Sequence, residues 1–128
     1  MMVNQEKSSL LIVDDDTSSL VELIHILKPE YMIRTAKDGA TALEIVGRTL
    51  PDAILLDVIM PGMSGFEILA ELKKSDKTKD IPVIIVTGIS EDIHEEEGLA
   101  LGAVDYIRKP FDAMDIKRRI NYAISLES

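Results

Sequence analysis

Short apolar runs recur along the chain, separated by segments whose apolar residues have helical spacing. The runs predict strands at residues 10–13, 31–35, 53–56, 83–86 and 104–107. In the intervening segments apolar residues recur three or four positions apart, as on the buried face of an amphipathic helix. These segments predict helices over residues 17–27 and 38–47, and helices that follow capping residues at positions 64, 90 and 112. The chain therefore alternates strand and helix from end to end.

Residues that favour helix ends punctuate this pattern. Asp16 and Asp112 are expected N-caps, Asp38-Gly39 begins the second helix, and Ser90 is placed to cap the fourth. Ser64 followed by Glu67 has the spacing of a capping box. We expect the third helix to bury Phe66, Leu69 and Leu72, and the polar stretch 73–80 to be a solvated loop.

The first, third and fourth strands are almost unbroken apolar runs, which is typical of parallel strands covered by helices on both faces. Right-handed crossovers between such strands give a doubly wound five-stranded sheet. At 128 residues the chain has the length of one α/β domain, with a core at about residues 8–125.

Composition narrows the range of functions. The chain carries 14 basic and 23 acidic residues, a net charge of −9, which argues against nucleic-acid binding by this domain. It contains no cysteine, so a thiolate nucleophile and a cysteine zinc site are excluded. Its apolar runs are far too short to span a membrane, and no signal-peptide pattern opens it. We expect a cytoplasmic protein.

Polar residues follow the ends of four predicted strands: Asp14 and Asp15, Asp57, Thr87 and Lys109. Each of them alone is an ordinary strand-end residue. If the strands are parallel, however, all five side chains emerge at the carboxyl edge of the sheet, where open α/β sheets bind ligands.

The chemistry of this set points to a divalent cation and a phosphoryl group. Clustered carboxylates repel one another unless a cation joins them, and Mg²⁺ prefers hard oxygen ligands. A hydroxyl and an ammonium group can bind the oxygens of a phosphoryl group, and an aspartate can accept phosphate covalently. The sequence therefore predicts a Mg²⁺-dependent phosphoryl site.

Four segments that contain these residues resemble the response-regulator receiver domains of two-component signalling, such as the bacterial chemotaxis regulator. The segments are residues 12–16 (IVDDD), 55–65 (LLDVIMPGMSG), 86–88 (VTG) and 102–111 (GAVDYIRKPF). The resemblance covers almost the whole chain. It implies a flavodoxin-like (βα)5 fold with strand order 2-1-3-4-5.

The resemblance also implies a role for each matching residue. Asp57 would accept a phosphoryl group from a sensor histidine kinase or a histidine phosphotransfer protein. Asp14, Asp15, Asp57 and the backbone carbonyl of Ile59 would bind Mg²⁺. Thr87 and Lys109 would bind phosphoryl oxygens, Tyr106 would be the switch residue that turns inward with Thr87, and the Lys109-Pro110 bond would be cis.

The fourth and fifth helices and the fifth strand are the expected responding face. Gly98 lies within the fourth helix and an acidic run, residues 95–97, lies toward its carboxyl half, so we expect a locally weak segment. The acidic run is equally well read as a solvated face. The basic run 117–119 on the fifth helix could pair with this run in a second copy, or contact a partner protein.

Two positions near the site are apolar here: Ile59, two residues past the acceptor, and Ile89, two past Thr87. Neither side chain can orient a water for attack on an aspartyl phosphate. We therefore predict slow autodephosphorylation.

Competing interpretations remain at this stage. Asp14 and Asp16 mimic the acid pair of a haloacid-dehalogenase-like phosphatase, but Asp57 would then have no role as nucleophile. A receiver fold can also serve as an interaction module without phosphorylation. The output is open: the chain is either a stand-alone regulator or a receiver from a longer protein with a DNA-binding, cyclase or kinase module.

Overall fold

The computed structural model describes residues 7–60, 62–88 and 92–126. In this part of the chain, five strands alternate with five helices, as the sequence predicts. The elements are β1 (Ser8–Val13), α1 (Thr17–Leu27), β2 (Tyr31–Ala36), α2 (Gly39–Arg48), β3 (Ala53–Asp57), α3 (Gly65–Lys74), β4 (Val83–Thr87), α4 (Asp92–Ala100), β5 (Asp105–Arg108) and α5 (Ala113–Leu126).

The strands form one parallel sheet in the order β2-β1-β3-β4-β5, which confirms the predicted flavodoxin-like topology. Alternate residues of each central strand enter two separate cores. One core packs β-strand residues against α2 and α3, and the other packs them against α1 and α5. The central strands are therefore covered on both faces, which explains their unbroken apolar runs.

The helix starts follow the predicted capping chemistry. The Asp16 carboxylate accepts from the Ser18 backbone N–H, and the Asp38 carboxylate accepts from that of Thr41. Ser64 and Glu67 form the predicted reciprocal capping box. Asp112 accepts from two backbone N–H groups of the first turn of α5. Ser90 lies outside the described residues.

Four strands, β2 to β5, extend one residue farther at their carboxyl ends than predicted, and in the last three the added residue is polar. Asp57 pairs in register with Val86, and Thr87 pairs with Arg108, so these polar residues belong to β3, β4 and β5. The prediction ended the strands where the apolar runs end. Backbone hydrogen bonds do not require an apolar side chain, so the ladder continues into the polar edge.

The prediction of a solvated loop at residues 73–80 is wrong in part. α3 continues through Lys74. The side-chain ammonium group of Lys73 donates to the Lys79 and Ile81 carbonyls at 2.8 and 3.2 Å. Thr78 is buried and donates to the Leu72 carbonyl at 2.6 Å. These local hydrogen bonds order a segment that its polarity alone had assigned to solvent.

Helix packing corrects one further expectation and shows what Gly98 contributes. Phe66 is only partly buried, and Ile68 instead lies in the core beside Leu69 and Leu72. Gly98 is a site of close approach: a Cβ there would lie 2.3 Å from Cδ1 of Ile85. The absence of a side chain at Gly98 thus lets α4 pack directly on β4. Within the described residues, no helix is long and apolar enough to cross a membrane.

Candidate functional site

Three carboxylates converge at the carboxyl edge of the sheet. Val13 and Leu56 are register partners on β1 and β3, so Asp14 and Asp57 follow side by side. One carboxylate oxygen from each of Asp14, Asp15 and Asp57 lies within 4.8 Å of the others. The structure therefore brings together the three acids that the sequence singled out.

Asp14 is the most deeply buried of the three. Its backbone N–H donates to the Ala36 carbonyl at 3.0 Å, and its Oδ1 accepts from the Asp16 backbone N–H at 2.9 Å. Its Oδ2 is buried without a hydrogen-bond partner among the described residues, and Nζ of Lys109 lies 3.7 Å from it. A buried carboxylate oxygen without a hydrogen bond is chemically suited to bind a cation.

Asp57 is 7% exposed, and its Oδ1 accepts from the Ile59 backbone N–H at 3.1 Å. Burial raises the pKa of Asp57 to about 7. The backbone N–H of Ile59 lowers this pKa, the negative charge of Asp14 raises it further, and the positive charge of Lys109 lowers it. The charge of Asp14 thus disfavours the ionised form of Asp57. A hard divalent ion with oxygen ligands would relieve this cost, so the donor set fits Mg²⁺.

Thr87 and Lys109 lie next to this cluster. Thr87 is 1% exposed and follows Val86, the register partner of Asp57. The backbone N–H of Lys109 donates to the Thr87 carbonyl at 2.9 Å, which ties β4 to the end of β5. The Lys109-Pro110 bond is cis, as the resemblance implies. The ammonium group of Lys109 therefore flanks the acidic cluster, and Thr87 ends the strand beside Asp57.

Ile59 and Tyr106 occupy the margins of the site. The side chain of Ile59 is 57% exposed, two residues past Asp57. Tyr106 is half-buried, and the guanidinium carbons of Arg108 and Arg119 lie 5.5 and 5.1 Å from the centre of its ring. Ile89 lies outside the described residues.

One buried residue of this region was missed at the sequence level. A solvated face is one of two interpretations of the acidic run 95–97, but Glu95 is 6% exposed, whereas Glu96 and Glu97 are exposed. It accepts from Nε and a terminal nitrogen of Arg108 at 2.6 and 2.8 Å, and from Oγ1 of Thr87 at 3.4 Å. The hydrogen bonds from Arg108 hold the pKa of Glu95 below its usual value.

The spacing of α4 contained a signal for this burial. Glu95 and Gly98 are three residues apart, and therefore share a helix face. Ile85 and Thr87 are two apart on β4, and therefore share a strand face. Because Gly98 packs on Ile85, Glu95 is brought to Thr87.

The sequence profile described as "Response regulator receiver domain" matches residues 10–121. The chain belongs to this family. The receiver is 40% identical over 120 residues to histidine kinase P4 of Formosa agariphila, covering 94% of this chain but only 9% of that protein. It is 33% identical to protein PilH of Pseudomonas aeruginosa, covering 91% of this chain and 97% of that one.

A solved structure shows the same architecture. Chemotaxis protein CheY4 of Vibrio cholerae superimposes on this receiver with a TM-score of 0.86 and 29% identity, covering 92% of this chain and 99% of that one. Receiver domains act in two-component signalling, which is based on phosphorylation. The family is thus a signalling family, and receivers occur both alone and within much longer proteins.

The basic run on α5 has partners within the receiver itself. Lys117 lies 3.8 Å from a carboxylate oxygen of Glu30, and Arg118 lies 2.6 Å from one of Asp115. Arg119 forms ion pairs with Asp105 at 2.5 Å and with Asp115 at 3.0 Å. The predicted contact between this run and a second copy remains a prediction, and it would have to compete with these pairs.

Proposed function

We propose that this receiver is a switch that accepts a phosphoryl group on Asp57 from a phosphohistidine of a sensor kinase or phosphotransfer protein. The observation that carries the proposal is the cluster of Asp14, Asp15 and Asp57 beside Lys109. In the transfer, a carboxylate oxygen of Asp57 forms a bond to phosphorus as the bond from phosphorus to the histidine nitrogen breaks. We expect this reaction to take place in the cytoplasm, where a kinase obtains its ATP.

Different residues of the site would bind the metal ion and the phosphoryl group. Asp14, Asp15, Asp57 and the carbonyl of Ile59 would hold Mg²⁺, which supplies positive charge opposite the transferred group. Lys109 is within reach of the acidic cluster and would bind a phosphoryl oxygen by charge-assisted hydrogen bonds. Asp57 is itself only 7% exposed, which would limit the access of water to the acyl phosphate.

Phosphorylation would then change the α4–β5–α5 face. The new group adds a charge of about −1.5 to −2 and three acceptor oxygens at Asp57. The hydroxyl of Thr87 would turn toward these oxygens, and Tyr106 would move inward into the space that Thr87 leaves. The altered face would control a partner, an attached output domain or a second copy. The receiver assists its own phosphorylation and slow dephosphorylation, but it is not a turnover enzyme.

Intact mass after incubation with acetyl phosphate tests this proposal. A gain of one phosphoryl group is expected with Mg²⁺ and not with a chelator. Asp57→Asn should abolish the gain, whereas Asp80→Asn, at an exposed acid outside the site, should retain it. No gain in the wild-type protein under any condition would favour an interaction module that works without phosphorylation.

A further inference from the structure

The hydroxyl of Thr87 donates to the carboxylate of Glu95 in this structure, whereas after phosphorylation it would donate to a phosphoryl oxygen on Asp57. Its Oγ1 lies 3.4 Å from Oε2 of Glu95, in a buried position between β4 and α4. A threonine hydroxyl carries a single proton. It can therefore donate to Glu95 or to a phosphoryl oxygen on Asp57, but not to both.

Glu95 is held in place from two sides. Arg108 of β5 donates two hydrogen bonds to its carboxylate, one to each oxygen, at 2.6 and 2.8 Å. On the helix, the close contact of Gly98 with Ile85 seats α4 against β4. The Glu95 carboxylate is thus a fixed acceptor rather than a surface side chain that happens to lie near Thr87.

We propose that Glu95 is a positioning residue that holds the Thr87 hydroxyl in the resting orientation, so that phosphorylation must break the Thr87–Glu95 contact before the switch can turn. This inference rests on the proposed function. It assigns Glu95 a role in setting how strongly the phosphoryl group is bound in the switched state.

The relative strength of the two acceptors allows the contact to be broken. The carboxylate of Glu95 carries one negative charge and shares it with Arg108, and its contact with Thr87 is long. A phosphoryl group on Asp57 offers more charge and three oxygens. After Thr87 turns away, Arg108 still satisfies both oxygens of Glu95, so no buried carboxylate is left without a partner.

Arg108 connects this contact to the rest of the responding face. Its guanidinium group pairs with Glu95 and also lies 5.5 Å from the ring centre of Tyr106. The resting contact therefore joins β4, α4 and β5 at one point. Release of Thr87 would remove the link from β4 to Glu95, while the pair between Arg108 and Glu95 would still join β5 to α4.

A double-mutant cycle tests the inference with Mg²⁺ and beryllium trifluoride, a tetrahedral mimic of the phosphoryl group, by calorimetric titration. Glu95→Ala should tighten binding about five- to tenfold, the net scale of one typical hydrogen bond, since the Thr87–Glu95 contact is long. In a Thr87→Ala background the same change should have no effect, since the hydroxyl is gone. Glu96→Ala, at the exposed neighbour, should leave binding unchanged.

The cycle separates this role from two others. A through-space effect of removing one negative charge would persist in the Thr87→Ala background, as would a direct effect of the released Arg108. Equal tightening in both backgrounds, or weaker binding by Glu95→Ala, would overturn the inference. Glu95→Gln, which keeps the volume and one acceptor oxygen, should give a smaller change in the same direction if the alanine variant folds poorly.

The resting contact can also be tested without any phosphoryl group. In NMR spectra of the ligand-free protein, Glu95→Ala should shift the Thr87 methyl resonance, and Glu96→Ala should not. Failure of the wild-type protein to bind the mimic would refute the proposed function while leaving this shift as the test of the contact. An unchanged Thr87 resonance would refute the contact even if phosphorylation is normal.

Discussion

Two buried carboxylate sites lie at the same edge of the sheet and have opposite electrostatics. Asp57 is surrounded by other acids, and burial raises its pKa to about 7. Glu95 is equally buried, but hydrogen bonds from Arg108 lower its pKa. The first site gains stability when it binds a cation or a proton, and the second is already neutralised by the chain itself. Burial of an acid therefore indicates ligand binding only when the protein leaves its charge uncompensated.

Removal of the Asp57 carboxylate should have the largest effect on stability. Because its folded pKa is raised, wild-type stability should fall as pH rises from about 4 toward 7, where the unfolded chain is ionised and the folded protein still holds the proton. Above pH 7 and without divalent ions, Asp57→Asn should therefore increase the free energy of unfolding by about 2–4 kcal/mol. Urea unfolding at pH 4, 6 and 8 measures this difference.

Mg²⁺ sharpens this prediction. An ion that binds only the folded state stabilises it by mass action, so Mg²⁺ should stabilise the wild-type protein and close much of the gap to Asp57→Asn. Asp80→Asn serves as the control, and its free energy of unfolding should show no increase over wild type that grows with pH. If Asp57→Asn is no more stable than the wild-type protein at pH 8 in a chelator, the inference that the charge of Asp57 is uncompensated is wrong.

Filling the space at Gly98 should have the next largest effect, because it displaces the helix that carries Glu95. The new Cβ would lie 2.3 Å from Cδ1 of the buried Ile85, so Gly98→Ala should cost about 1–2 kcal/mol despite the gain in helix propensity. Gly47→Ala is the matched control: its Cβ would meet nothing within 4 Å, and it should stabilise α2 by about 0.5–1 kcal/mol. Thermal unfolding of both variants would compare them, and equal shifts would refute the close packing of α4.

Neutralising Glu95 should have a smaller effect with the opposite pH dependence to that of Asp57. Its folded pKa is lowered, so its contribution is complete above the unfolded pKa of 4.5 and is lost as pH falls from there through the folded pKa. Glu95→Gln should thus cost about 1 kcal/mol at pH 7 and little at pH 3.5. Glu96→Gln should differ little from wild type at either pH, and a matching loss there would show that the pairing with Arg108 is not the cause.

The sequence could predict the acidic site but not the burial of Glu95 beside it, and the reason is physical. Parallel strands must end at one edge, so Asp14, Asp57 and Thr87 had to gather there whatever the details of packing. The burial of Glu95 depends on the rotation and depth of α4, which the contact between Gly98 and Ile85 determines. A glutamate is normally exposed, so hydropathy assigns it to solvent. Thr78 was misplaced likewise, because its burial depends on one local hydrogen bond.

Substitution of Ile59 should have the smallest effect on stability and should alter only the lifetime of the phosphorylated state. Its side chain is 57% exposed, so Ile59→Asn should leave the free energy of unfolding nearly unchanged. The amide can orient a water in line with the Asp57–phosphorus bond, which the aliphatic side chain cannot do, so loss of the phosphoryl group should be severalfold faster. Decay after removal of acetyl phosphate, followed by intact mass, gives the rate, with Val21→Asn on α1 as an exposed aliphatic control. An unchanged lifetime would mean that water reaches the acyl phosphate without help from this side chain. The slow decay predicted for the wild-type protein would then have to come from the burial of Asp57 itself.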